Sequence, residues 1–181
     1  MHPVLLRLAD GPSAGTLGHA REVADEIADD PDLFAVVVDG LADDAEGIRN
    51  RSAIALDRAT ERRPDFLAPH AAALFDAADA DRSGGALRRL LPRLLSRLTL
   101  GPSQARRLAA HAEAWLRTEP PGAQANALDA LAAVALQHPD LAPALRPLLE
   151  DALDHDAPSV RSRARRHGAR LDRAETRATE G

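Results

Sequence analysis

The residues best equipped for chemistry in this chain are arginines. Arg82, Arg88, Arg89, Arg93, Arg97, Arg106 and Arg107 fall between positions 82 and 112, a stretch without one acid. Arg89, Arg93 and Arg97 are spaced i, i+4, i+8, which sets them on one face of a helix. Leu87, Leu90, Leu91, Leu94, Leu95 and Leu98 form the opposite, broader face, so the arginines should look outward. Like charges at this spacing cost about a few tenths of a kcal/mol per pair, so something should offset them. Two readings follow. The arginines bind an anionic partner, whether an acidic protein surface, a phosphorylated segment or nucleic acid. Alternatively they pair with acids on adjacent helices, for which Asp57, Glu61 and Asp129 are the candidates. The candidate partner-binding set is Arg88, Arg89, Arg93 and Arg97, with Arg58 and Arg62 beside them.

Other chemistries find less support. The chain has no Cys, which removes disulfides and thiolate metal sites. Its histidines, at positions 2, 19, 70, 111, 138, 155 and 167, never form an i, i+4 pair, so no metal is expected. The serines lack the elbow motif of a nucleophile, and Gly84-Gly85 and Gly11-Pro12 match no phosphate-cradling loop. No catalytic residue and no cofactor are expected. Trp115 is read as an interface residue between structural units, or as an exposed anchor for a partner.

The elements that must position these residues are helices. Apolar residues make up 45% of the chain but aromatics only 2%, so the apolar content is mainly Ala and Leu, both strong helix formers. Strand-favouring residues cluster only at Val36-Val37-Val38, and an all-α class follows. Residues 41–52 return at 153–164, an offset of 112, and Arg-Pro-Asp-Phe (63–66) echoes His-Pro-Asp-Leu (138–141) at an offset of 75. Both offsets are near multiples of about 37 residues, within the range of stacked helical repeats. Second helices share one inward template at i, i+4, i+7, i+8, i+11. It reads Ile48, Ser52, Ala55, Leu56, Ala59, then Ala123, Ala127, Ala130, Leu131, Val134, and finally Val160, Ala164, His167, Gly168, Leu171.

The chain therefore reads as one domain over 1–181, with repeats over roughly 31–63, 64–100, 101–138 and 139–175. First helices are expected over about 32–44, 65–79, 102–117 and 141–154, and second helices over about 46–62, 84–98, 122–138 and 158–173. A leading helix is expected over about 16–29, with 1–15 and 174–181 flexible. Asp32, Asp65 and Asp140, each after a Pro, are expected to cap first helices, and kinks are expected at Pro92 and Pro147.

Residues 44–56, Asp-Ala-Glu-Gly-Ile-Arg-Asn-Arg-Ser-Ala-Ile-Ala-Leu, and 156–164, Asp-Ala-Pro-Ser-Val-Arg-Ser-Arg-Ala, resemble the core of a HEAT repeat. The second unit departs at Asp81-Arg82-Ser83-Gly84-Gly85, and the third has Ala123-Gln124 in place of the aliphatic-Arg pair. The resemblance implies a short right-handed α-solenoid of about four HEAT-like helix pairs plus a leading N-terminal helix. It places the second helices on a concave side and implies no enzymatic activity. Tetratricopeptide repeats share the period, but the chain has no Tyr and one Trp, against that motif. Arg49 and Arg161 stand at the family's arginine position, where an Asp–Arg ladder between repeats is expected rather than a ligand site.

The function expected is a non-enzymatic scaffold binding an acidic protein or peptide on the Arg-rich concave face. The alternatives are a nucleic-acid-binding module and a structural subunit of a larger assembly. Against nucleic acid stand the net charge of −5 and the scarcity of aromatics for base stacking. Charge is polarised: residues 1–81 carry 7 Arg and 17 acids, residues 82–181 carry 16 Arg and 11 acids. Such polarity suits a binding face or head-to-tail contacts. On the last helix, Arg161, Arg163, Arg165, Arg166, Arg170 and Arg173 read as a solubilising outer face or a second anion-binding patch. No apolar run reaches membrane-spanning length, and the lack of Lys beside abundant Arg and Ala fits a GC-rich genome. A cytoplasmic bacterial protein is expected, its oligomeric state open.

Overall fold

The computed structural model describes residues 1–80 and 85–180, all of them in helices or their connections, with no strand. The α-helices are α1 (Pro3–Ala9), α2 (Ala20–Ile27), α3 (Pro31–Asp39), α4 (Glu46–Arg62), α5 (Ala71–Asp79), α6 (Gly85–Ser96), α7 (Pro102–Thr118), α8 (Pro121–Gln137), α9 (Ala142–Asp151) and α10 (Pro158–Glu180). Segments of 3-10 helix cover Gly40–Ala42, Pro64–His70 and Ala152–Asp154. Arg82, with the rest of residues 81–84, lies outside the described residues. The chain divides into two compact units, Met1–Leu98 and Thr99–Gly181.

In the first unit α4 is the central helix. It packs against α1, α2, α3 and α6, and eleven of its 17 residues are buried. Those include Asn50, Arg51, Asp57 and Thr60, polar groups that must find partners in the interior. Arg51, only 2% exposed, finds backbone carbonyls. Its guanidinium donates to Leu8 O, to Ala9 O at 2.9 Å, to Ser13 O at 2.9 Å and to Thr16 O at 3.4 Å. It thus satisfies the open carbonyls at the C-terminus of α1 and fixes the loop that follows. Gly18 belongs to the same arrangement. Its φ is +46°, and a Cβ there would stand 2.6 Å from Asp10 O and 3.0 Å from Arg51 Cδ.

The beginnings of helices follow proline chemistry more closely than the sequence suggests. Asp30, not Asp32, caps α3, because Pro31 takes the first helical position and leaves the preceding residue extended. The Asp30 carboxylate accepts from the N–H groups of Asp32 at 3.0 Å and Leu33 at 2.9 Å. Asp65 pairs with Arg63 at 2.8 Å instead of capping, and the chain there enters as 3-10 helix. Asp140 lies in a turn ahead of α9, whose N-cap is Leu141. Pro92 and Pro147 lie inside α6 and α9, which continue through them.

Two further segments differ from expectation. Residues 3–9 are helical: Pro3 starts the helix, His2 Nδ1 accepts from Val4 N at 3.2 Å, and Val4 and Leu8 are buried. At the other extreme α10 continues to Glu180. Arg146 on α9 holds its later turns through Asp172 at 2.8 Å and Glu175 at 2.7 Å.

In the second unit α8 is the central helix, contacting α7, α9 and α10. It is apolar nearly all round, and Leu128 and Leu131 are fully buried. Trp115 is 1% exposed and stacks on His111 with ring centroids 5.3 Å apart. That burial leaves no indole face to anchor a partner.

The 112-residue echo is visible in three dimensions. Each copy runs helix, 3-10 turn, helix: α3, Gly40–Ala42 and α4, then α9, Ala152–Asp154 and α10. Arg49 donates to the carbonyls of Asp43 at 2.8 Å and Asp44 at 2.7 Å. Arg161 donates to His155 O at 2.6 Å and Asp156 O at 2.7 Å. Ala45 N reaches Asp43 Oδ1 at 2.8 Å, and Ala157 N reaches His155 Nδ1 at 3.0 Å. The motif arginine therefore ties down the turn carbonyls of its own copy, where an Asp–Arg ladder was expected. The geometry explains this, because the arginine sits one turn into the second helix, directly behind the turn whose carbonyls are open.

Candidate interaction surface

The α4–α6 pair carries every residue of the predicted arginine set except Arg97, which stands in the turn just past α6. Asp57 on α4 is nearly buried, its side chain 10% exposed, and it draws two of these arginines toward it. Arg97 stands 3.0 Å from Asp57 Oδ1, without the alignment of a hydrogen bond, so that contact is coulombic. Its other amine donates to Asp57 O at 2.9 Å and to Thr60 Oγ1 at 2.5 Å. Thr60 in turn donates to Leu56 O at 2.7 Å. Arg93 lies 3.4 Å from Asp57 Oδ2 and 3.3 Å from Glu61 Oε1. Asp57 and Glu61 are i, i+4 on α4 and match the four-residue spacing of Arg93 on α6 and Arg97 just past its end.

The stripe thus divides. Arg93 and Arg97 turn onto α4, the Arg97 side chain being 17% exposed, while Arg89 is exposed and Arg88 half-buried. Arg58 and Arg62, one turn apart on α4, are exposed and make no ion pair among the described residues. Charge-assisted contacts between the helices fix the scaffold, and the exposed guanidinium groups of Arg58 and Arg62 are suited to planar, bidentate recognition of carboxylate or phosphate.

Asp129, the third acid considered as a partner for these arginines, is engaged within the second unit. Arg163 and Arg166 on α10 pair with it, the latter at 3.1 Å. His167 Nε2 lies 2.6 Å from Asp129 Oδ1, and its buried Nδ1 has no hydrogen-bond partner. The inward register of His167 was legible in the sequence. Its partner was not, because α8 and α10 are brought together by packing and not by local spacing. Arg51 was missed for the same reason: two positions from Arg49, which stays near the surface, it reaches a loop some forty positions earlier.

Among the described residues no group of three or more His, Asp or Glu side chains is placed to hold a metal ion. No helix is long and apolar enough to cross a membrane. No family model matches the chain, and no curated protein matches it. Two crystal structures of engineered proteins from the Northeast Structural Genomics Consortium are similar in fold. One is 17% identical, with a TM-score of 0.62 over 94% of this chain and 80% of that one. The other is 16% identical, with a TM-score of 0.62 over 93% of this chain and 47% of that one. At such identities the likeness is one of fold alone, and the fold that it shares with this chain is all-helical.

Proposed function

We propose that the chain is a non-enzymatic interaction scaffold of the HEAT type, a short right-handed α-solenoid that binds an acidic protein or peptide through α4 and α6. The turn clamp repeated at Arg49 and Arg161 supports the HEAT reading, since it recurs at the family's arginine position. The observation that carries the binding site is the pair Arg58 and Arg62, exposed, one turn apart and without ion-pair partners among the described residues. Arg88 and Arg89 extend that surface, and Arg93 and Arg97 hold α6 against α4 beneath it. A cytoplasmic, bacterial setting belongs to the same reading and rests on composition.

The test uses two labelled probes, an oligo-glutamate peptide and a duplex DNA of mixed sequence, titrated by fluorescence anisotropy. The acidic peptide should bind, and Arg58→Glu with Arg62→Glu should weaken it by about tenfold or more while leaving the melting temperature unchanged. Tighter binding of DNA than of peptide, lost in the same variant, would move the function to nucleic acid. No binding of either probe at low salt would remove the site.

A further inference from the structure

Large apolar side chains are exposed at two places in the described residues. Met1, Leu6 and Leu17 are 74%, 56% and 43% exposed in the first unit, and Leu153 is 40% exposed in the second. Leu153 is the counterpart of Leu41 in the 112-residue repeat, and Leu41 is 2% exposed because α5 packs over its 3-10 turn. The turn that bears Leu153 packs against α9 and α10 of its own repeat, and among the described residues no further helix makes a contact on it comparable to that of α5 on the Leu41 turn. Beside Leu153 opens a groove of about 360 Å³ between α9 and α10, lined by Leu149, Leu153 and Gly168, by the arginines Arg146 and Arg165, and by the acids Glu150 and Asp172 at its edge. The groove exists partly because Gly168 stands where the other second helices place Leu56 and Leu131, both fully buried. A Cβ built on Gly168 meets nothing within 4 Å. The site lacks the aliphatic side chain that its own repeat template calls for.

Charge indicates what fills it. The α10 helix holds seven arginines and three acids, a net +4. Two of those acids, Asp172 and Glu175, are held by Arg146, which leaves Arg165, Arg170 and Arg173 exposed and without ion pairs among the described residues. Residues 1–30 hold six acids and two arginines, a net −4. Their exposed acids include Glu22, Asp25 and Glu26 on α2 and Asp29 just past its end. Arg7 on α1 holds Glu26 at 2.8 Å and Glu22 at 3.6 Å, which leaves Asp25 and Asp29 outside those pairs, on the α2 segment that packs beside the α1 helix bearing Leu6. A groove-on-groove contact between two copies would bring α10 arginines together and is electrostatically opposed. A contact of the groove with the α1–α2 surface joins opposite charges and covers exposed leucines on both sides.

We propose that a second copy of this chain docks its α1 helix, led by Leu6, into the groove between α9 and α10, with Asp25 and Asp29 meeting the α10 arginines. The interface is heterologous, so each copy offers one donor surface and one acceptor groove. It is independent of the arginine site on α4 and α6, which the variants below leave intact.

The experiment is sedimentation equilibrium on the full chain across the micromolar range at low and high salt. Wild type should show mass rising with concentration, and high salt should weaken association several-fold. Leu6→Asp and Leu153→Asp should each weaken association by about tenfold or more, with unchanged melting because both positions are exposed. The milder Leu6→Ser and Leu153→Ser changes check that a charge at either position has not unfolded its surroundings. Mixing Leu6→Asp with Leu153→Asp should restore one interface and stop at a dimer, because the first variant keeps the groove and the second keeps the donor helix. A wild type that stays monomeric throughout, a mixture that stays monomeric, or either variant associating like wild type would each overturn the proposal.

Discussion

The α3–α4 pair and the α9–α10 pair are two renderings of one motif, and they differ in what their neighbours supply. Both share the turn clamp, and both bury the first inward position, Ile48 and Val160 each being 1% exposed. They diverge at the next steps. Leu56 of α4 fills the centre of the first unit, whereas its counterpart Gly168 borders an open groove. Ala55 is a small buried residue, whereas its counterpart His167 is buried against Asp129. Arg51 is fastened to carbonyls of the preceding loop, whereas its counterpart Arg163 pairs with Asp129 on α8. A repeated sequence fixes the local geometry, and the surroundings decide whether a given position is core, polar contact or surface.

The comparison can be broken most sharply at the eighth step of the inward template. Leu56→Asp and Leu131→Asp should each cost more than about 4 kcal/mol by burying an unpaired carboxylate, a large share of a domain's stability. Gly168→Leu should stay within about 1 kcal/mol of wild type, because the groove has room for the side chain. Urea denaturation of the three variants checks this, and a Gly168→Leu protein as damaged as Leu131→Asp would show the groove to be core.

The next largest contrast lies in the 3-10 turns. Leu41→Ala should cost about 2–5 kcal/mol, the range for a fully buried leucine, while Leu153→Ala should cost less than about 0.5 kcal/mol. Equal shifts in the denaturation midpoint would contradict the difference in cover. For the paired arginines, Arg51→Met should cost about 1–3 kcal/mol, since it strands the buried Leu8 carbonyl and removes the donors to Ala9 O and Ser13 O. Arg163→Met should cost less, because Asp129 keeps Arg166 and His167 as partners. Amide exchange should locate the Arg51 damage in the loop after α1.

Smaller effects sharpen the picture. Gly168→Ala should stabilise by about 0.5–1 kcal/mol, since it raises helix propensity and its Cβ meets nothing. A loss of stability would mean that the backbone there needs glycine. The smallest effect concerns pH. Arg7 lowers the Glu26 pKa, chiefly by hydrogen bonding; burial opposes the shift, and the charge of Arg7 adds a smaller push in the same direction as the hydrogen bond. The folded value lies below the unfolded one, so the stabilisation is complete above the ordinary glutamate pKa and is lost as pH falls through the depressed folded value. Both side chains are more than a third exposed, so solvent screening limits the gain to about 0–1 kcal/mol. Glu26→Gln should therefore flatten the acid limb of the stability curve slightly, a change readable by melting between neutral pH and pH 3 or so.

Much of the fold was legible because helix formation is local. The 3.6-residue spacing of Ile48, Ser52, Ala55 and Leu56, and of Ala123, Ala127, Ala130 and Leu131, marks buried faces whatever lies beyond them. The scarcity of β-branched and aromatic residues kept Val36–Val38 inside a helix, and the 112-residue echo matched two helix–turn–helix pairs in register. The composition and position of the arginine set were equally plain. Only the tertiary structure decided that Arg93 and Arg97 fold onto Asp57 while Arg58 and Arg62 stay open, since the choice depends on which face of α4 meets α6. It also decided that Arg51 is interior, that Asp129 belongs to α10, and that Leu153 is bare where Leu41 is covered. The physical reason is common to all of these. Periodicity reports which side of a helix is apolar, whereas burial and ion pairing depend on contacts between residues tens of positions apart, whose geometry is set by packing.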